Sequence, residues 1–303
     1  MKHAYLILAH GEYQLLELLV ASLDDVRNDL YIHIDAKASL PDTLHTERAG
    51  LQLIRERHDV RWGDVSVVEA EFALLREAYR RGQSCGGYAY YHLLSGVDLP
   101  LKTQDYIHDF CQRHHGAEFI GFYSGADLAA DLERKVQRCH LFPRSFRGSG
   151  FGWQCKRIVR ALYMRLQSVL GTRRYPDIHF AKGTQWMSIT ESLVAELIQH
   201  ESAIVPLYHG TFCSDEIAIQ TYVASSPFMA RVYKPQDEAG SSMRHIGWYE
   251  GQLIDFSARD YEALAKSEAL FARKFNSSDM DFIHRVLGLS VVPTKEPSDD
   301  AGN

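Results

Sequence analysis

The chain is poor in cysteine, and the few it has follow no pairing logic. Cys85, Cys111, Cys139, Cys155 and Cys213 are odd in number, scattered, and never spaced CxxC. That excludes a disulfide framework and a zinc knuckle, and fits a reducing compartment. Long apolar runs are missing too, since nothing approaches the ~20 consecutive apolar residues of a membrane-spanning helix. The opening MKHAYLILAHGEYQ reaches His10 and Glu12 too early for the apolar core of a signal peptide. The expectation is a cytoplasmic protein, soluble or resting peripherally on the inner membrane face. A global excess of positive charge is also absent. The 33 Lys and Arg against 39 Asp and Glu give −6, which argues against a surface built for nucleic acid. Walker, GxGxxG and HExxH patterns do not occur, so the usual phosphate loops and zincins are set aside.

What is present is an ordinary globular composition. Over 303 residues, 46% are hydrophobic and 24% charged, enough for a real core. Ala4–Ala9 is a continuous apolar run closed by His10 and Gly11, the pattern of a fully buried strand. Helical spacing over Leu15–Leu23 and a second strand, Leu30–Ile34, follow, closed by Asp35. Strand, helix and strand within 35 residues form a βαβ unit with a right-handed crossover and a parallel sheet. Val65–Tyr79 reads as a helix through Val68, Phe72, Leu75 and Tyr79. Tyr88–Leu94 reads as a strand running into the turn Ser95–Pro100. A helix over about 103–114 and a strand at Glu118–Phe122 complete a Rossmann-like α/β half, which holds ligands at the carboxyl ends of its strands.

Residues 134–174 are different. They carry eleven Lys and Arg and not one Asp or Glu. Within them, Cys155–Leu170 sorts at 100° per residue into an arc of Ile158, Val159, Leu162, Tyr163, Leu166, Val169 and Leu170 and an opposite arc of Lys156, Arg157, Arg160 and Arg165. Such a helix either packs on the core with a solvated basic face or meets an anionic membrane or substrate. Beyond it, Asp177–Thr190 reads as a strand pair around a Gly turn. Helices follow at about 191–200 and 215–224, a third within Phe256–Phe275 ending in the basic FARKF, and a fourth at Met280–Leu287. Pro293–Asn303 is a polar tail without an apolar anchor.

Chemistry can reside in few places. Asp279-Met-Asp281 opens a helix, where capping and dipole complementarity explain it as readily as a metal does. The fifteen histidines show no ligand spacing. His33-Ile34-Asp35 and Ser95–Pro100 end strands at the same sheet edge. Ser214-Asp215-Glu216 opens a helix, with Glu216 either a first-turn acid or a base. Arg273 and Lys274 lie between Phe271 and Phe275, as a solvated turn or a phosphate clamp.

In order, AYLILAH, YIHIDAK, VRWGDVSVVEAEFALLREA, YYHLLSGVDLPLKT, KGTQWMSIT, SDE and LFARKF make the chain resemble the core-2/I-branching β-1,6-N-acetylglucosaminyltransferases. That family includes protein O-xylosyltransferases and bacterial members, and the likeness covers residues 3–123 and 178–287. It implies a GT-A-like fold with a nucleotide-sugar half (1–123) and an acceptor-facing catalytic half (178–292). The basic insertion (124–177) and the tail (293–303) match nothing. It further implies an inverting transferase moving GlcNAc or xylose from a UDP-sugar to a free or lipid-linked glycan, without a divalent metal or other cofactor.

By position, the resemblance makes Glu216 the catalytic base. It puts His10, Asp35, Arg244, Arg273 and Lys274 at the donor, and Asp98, Gln185 and Trp186 at the sugar and acceptor. In such a reaction, fixed cations stabilise the departing diphosphate in place of Mg²⁺. The carboxylate takes the proton of the attacking hydroxyl, and one displacement inverts the centre. Two other readings stay open: a non-catalytic nucleotide-sugar or carbohydrate-binding module, and a metal-dependent transferase using Asp279 and Asp281.

Overall fold

A computed structural model describes residues 1–291; the expected tail lies outside them. In chain order the elements begin with β1 (His3–Ala9), α1 (Tyr13–Ser22), β2 (Asn28–Ile34), β3 (Gly50–Leu53) and α2 (Ser66–Gly82). Next come β4 (Tyr90–Ser95), β5 (Leu99–Pro100), α3 (Gln104–Arg113), α4 (Leu128–Lys135) and α5 (Phe151–Val169). β6 (Ser188–Thr190), α6 (Glu191–Ile204), α7 (Ala218–Ala224), α8 (Glu238–Ser242) and β7 (Arg244–Ile246) follow. The last are β8 (Trp248–Tyr249), β9 (Gln252–Leu253), α9 (Tyr261–Ala265), β10 (Phe271–Arg273) and α10 (Met280–Leu289).

The central sheet has the order β3-β2-β1-β4-β6. Its first four strands are parallel, so Ala9, Ile34 and Ser95 end at one edge, as the βαβ reading requires. β6 runs antiparallel to β4, joining the second half of the chain to the first half's sheet. Both faces of the sheet are covered, which is why its strands read as unbroken apolar runs. α2 and α6 lie over one face, burying Val68, Phe72, Leu75, Leu193 and Leu197. α1 and α3 lie over the other, with Leu16, Leu19, Ile107 and Phe110. Each such side chain contributes about 1.5–3 kcal/mol by leaving water. A second sheet, β5-β10-β7, packs with α9 and α10 around Phe256, Phe275 and Phe282.

Several sequence expectations are corrected. β3 has no counterpart in the sequence reading, because its half-exposed GLQL carries little apolar signal. Glu118–Phe122 forms two isolated bridges, Glu118 with Val232 and Phe119 with Ser188, and no full strand. The strand pair expected over 177–190 reduces to β6. Residues before it are irregular because Gly183 runs against Gly121, where a Cβ would sit 1.8 Å from the Gly121 carbonyl oxygen. FARKF ends no helix: β10 inserts Phe271 and Ala272 into the core, and the helix nearby is the five-residue α9. Asp279 caps α10, its Oδ1 accepting from Phe282 N at 3.0 Å. Among the described residues, neither it nor Asp281 joins a group of potential metal ligands.

Candidate active site

The segment Ser214–Glu216 is a 3₁₀ turn ahead of α7. Its entry is set by the RWGD loop. Gly63, at φ +79°, accepts from Cys213 N at 2.9 Å, and a Cβ there would lie 2.7 Å from the Phe212 ring. Its backbone is also held from the KGTQW side, where Gly183 N donates to Glu216 O at 2.9 Å. Two motifs distant in sequence therefore orient the same carboxylate.

Glu216 keeps a third of its side chain accessible, and Lys135 Nζ donates to its Oε2 at 2.6 Å. Lys182 Nζ lies 3.8 Å from the same oxygen, and both lysines also pair with Asp131, at 3.2 and 2.8 Å. Burial works against the Asp131 carboxylate, yet the surrounding cations hold it down at about 2. Among the described residues no hydrogen bond reaches Glu216 Oε1. One carboxylate oxygen is thus anchored and the other is open.

Beside Glu216 are two further carboxyls, Asp215 with its Oδ1 buried and Glu71 buried throughout. Asp215 Oδ1 has no partner, and burial, followed by the Glu216 charge, raises this acid well above the usual carboxylate range. Glu71 on α2 is 1% exposed and is pushed up by burial and then by Asp215. Its Oε1 accepts from Gln185 Nε2 at 2.5 Å. Next to Gln185, Trp186 stacks under Arg273, whose guanidinium carbon is 4.0 Å from the ring centre. Arg273 Nε donates to Asp98 at 3.3 Å, and Asp98 is closed into its own turn by Ser95 N and Oγ.

The structure thus brings Gln185, Trp186, Asp98 and Arg273 into one contact network beside the turn that bears Glu216. Asp98 needs correcting as a sugar contact: it is fully buried, and its carboxylate fixes Arg273. Arg244 is the larger correction. It is 1% exposed, and it donates to the carbonyls of Ser242 and Met187 and to Ser188 Oγ, at 2.7–3.0 Å. It is a core strut between β4, β6 and β7, and burial lowers its pKa to about 10. A diphosphate cannot reach it without unpacking the core.

Lys274 follows Arg273 but turns outward to Asp255, 3.2 Å away. Asp35 and His10 occupy the expected strand-end edge. His10 is exposed, while Asp35 is buried and tied at both oxygens by Lys37, whose ammonium also pairs with Asp59. Lys135, Lys182, Asp131, Asp215 and Glu71 were missed at the sequence level. Lys182 and Asp215 stood inside KGTQWMSIT and SDE without a role of their own, and Glu71 carried a signal as an acid three residues from Val68 within the apolar stripe of α2.

Residues 3–263 match the core-2/I-branching enzyme family. The chain belongs to that family. As a core-2/I-branching enzyme it is a glycosyltransferase, and its mixed α/β build around a parallel sheet is the family's GT-A-like architecture. The match ends before β10, so Arg273 and Lys274 rest on the geometry above. No curated protein matches the chain.

Proposed function

We propose that this branching enzyme transfers a sugar, GlcNAc or xylose, from a UDP-sugar to a glycan hydroxyl by a single inverting displacement. Glu216 is the general base. The observation that carries this is the split state of its carboxylate, with Oε2 held by Lys135 and Oε1 open. Such a group is oriented yet able to accept a proton, and a base of this kind is worth ~10²–10⁴-fold in rate. The acceptor hydroxyl loses its proton to Oε1 as its oxygen forms the new bond to the anomeric carbon. The bond to the nucleoside diphosphate breaks on the opposite face, and the leaving group departs as an anion.

That charge falls to Lys274 and to the outer nitrogens of Arg273, whose plane is preset by Trp186 and Asp98. Arg244 takes no part. With these cations supplied by the chain, turnover without a divalent metal is expected. Asp35 and His10 serve the nucleoside, at the edge where sheets of this kind hold nucleotides. Gln185 borders the sugar, while Trp186, 5% exposed, serves it only by fixing Arg273. In this reading residues 1–123 form the donor half and 178–292 the catalytic half, with 124–177 inserted between them. The test is a donor screen by UDP release with and without EDTA, on wild type and Glu216→Gln. Activity that EDTA abolishes and Mn²⁺ restores overturns the metal-free part. Unchanged turnover in Glu216→Gln overturns the base.

A further inference from the structure

α5 is turned the wrong way round for a core helix. The stripe that meets the protein is partly buried and mixed, with Gln167 and Arg160 beside Trp153, Tyr163 and Met164, while Lys156, Arg157 and Arg165 stay exposed. Gln167, 5% exposed, exchanges both amide atoms with Cys139, N to Oε1 and Nε2 to O, each at 2.8 Å. Arg160 donates to the carbonyls of Leu141 and Ser145, at 3.1 and 2.9 Å, and stacks on Phe146. The apolar arc of Phe151, Ile158, Leu162, Leu166 and Val169 points to solvent, with Leu162 64% exposed. Nineteen residues make a ridge about 28 Å long. An uncovered apolar surface of this extent marks an interaction site.

The charges choose the occupant. α5 has no acidic residue, and its Lys156, Arg157, Arg160 and Arg165 have no carboxylate partner among the described residues. The rest of the chain outside 134–174 carries 22 basic and 39 acidic residues. A second copy docked α5 to α5 would press like-charged flanks together. An anionic phospholipid leaflet instead offers acyl chains to the ridge and phosphates to its flanks, the geometry of an in-plane amphipathic helix. No helix among the described residues is long and apolar enough to cross a membrane, so attachment by a helical span is not on offer there.

We propose that α5 lies in the surface of an anionic bilayer, inserting Phe151, Ile158, Leu162, Leu166 and Val169. The bilayer is then close to the catalytic turn. Cys139, which Gln167 grips, is four residues from Lys135, at most ~14 Å along the chain, and Lys135 holds Glu216. An acceptor anchored in the same leaflet is presented on that side. This last step rests on the proposed role of Glu216; the attachment itself does not.

The experiment uses the full chain and vesicles of phosphatidylcholine with or without phosphatidylglycerol. Cys155 is exposed on the inserting arc, so an environment-sensitive dye placed there in a Cys85→Ser background reports insertion. Wild type should float with anionic vesicles in low salt, shift the dye to the blue, and release in high salt. Leu162→Glu with Leu166→Glu should abolish both signals while leaving melting temperature and UDP binding unchanged. Lys156→Gln, Arg157→Gln and Arg165→Gln together should weaken partition roughly 100-fold. Absence of flotation by wild type overturns the proposal. So does a solution dimer that the Leu→Glu pair dissociates, which would make a second copy the occupant. A soluble-acceptor assay in parallel separates the two claims, since wild-type turnover there with lost flotation leaves Glu216 untouched.

Discussion

α2 and α5 are the two long amphipathic helices of the molecule, and they use their faces in opposite ways. α2 buries Val68, Phe72 and Leu75 against the central sheet and carries one acid, Glu71, inward to the back of the site. α5 buries Gln167 and holds Arg160 against the body, and leaves its apolar arc outside. An apolar stripe therefore states that something must cover it, and only the surroundings say what. For α2 the cover is the sheet; for α5 no described residue of the chain supplies one.

The largest effect that bears on this contrast lies where α2 meets the turn that bears Glu216. Glu216→Gln should lower kcat by two to four orders of magnitude with UDP affinity kept, read by single-turnover kinetics and calorimetry. Next comes packing. Phe72→Ala on α2 should destabilise by about 3–5 kcal/mol in denaturant unfolding, whereas Leu162→Ala on α5 should stay within about 0.5 kcal/mol. Comparable losses in the two would show that α5's arc is covered after all.

The two cations that the structure separates sharpen the comparison on a smaller scale. Arg244→Met should cost about 1–3 kcal/mol for each carbonyl left unpaired, read as a lower melting temperature. Lys274→Ala should leave that temperature alone and weaken UDP binding about tenfold.

The smallest effect is a pH dependence of α2 itself. Glu71 holds its proton in the fold to higher pH than it does unfolded, so the folded state binds more protons above the ordinary glutamate range. Stability contributed at this position is unaffected below about pH 4 and falls as pH rises toward the folded value. Glu71→Gln should therefore flatten the melting temperature between pH 5 and 8 and leave it unchanged at pH 4. An unaltered slope would show that Glu71 is ionised in its buried place.

Much of the architecture was readable because burial on both faces writes itself as composition. β1, β2 and β4 announced themselves as apolar runs ending in polar residues, and α2 and α3 by periodicity. β3, β7 and β10 were opaque, since two to four residues carry too little pattern and their pairing is non-local. In the site, Glu216 and the Gln185-Trp186 pair were marked by motif. Lys135 and Lys182 were hidden because an ion pair across 81 or 34 residues leaves no local trace.

By itself, then, the sequence determined the α/β class, the family likeness, and the presence of an acid-bearing SDE motif and of a basic amphipathic segment. Those properties follow from local patterning and residue type. Tertiary structure alone decided that Arg244 is a core strut and that Arg273 lies on Trp186 and Asp98, although both are arginines on short, adjacent strands. It decided equally that the ridge of α5 faces out. The reason is common to both: a side chain's role depends on whether its partners are carbonyls of the core, a neighbouring ring or water, and those partners arrive from distant parts of the chain.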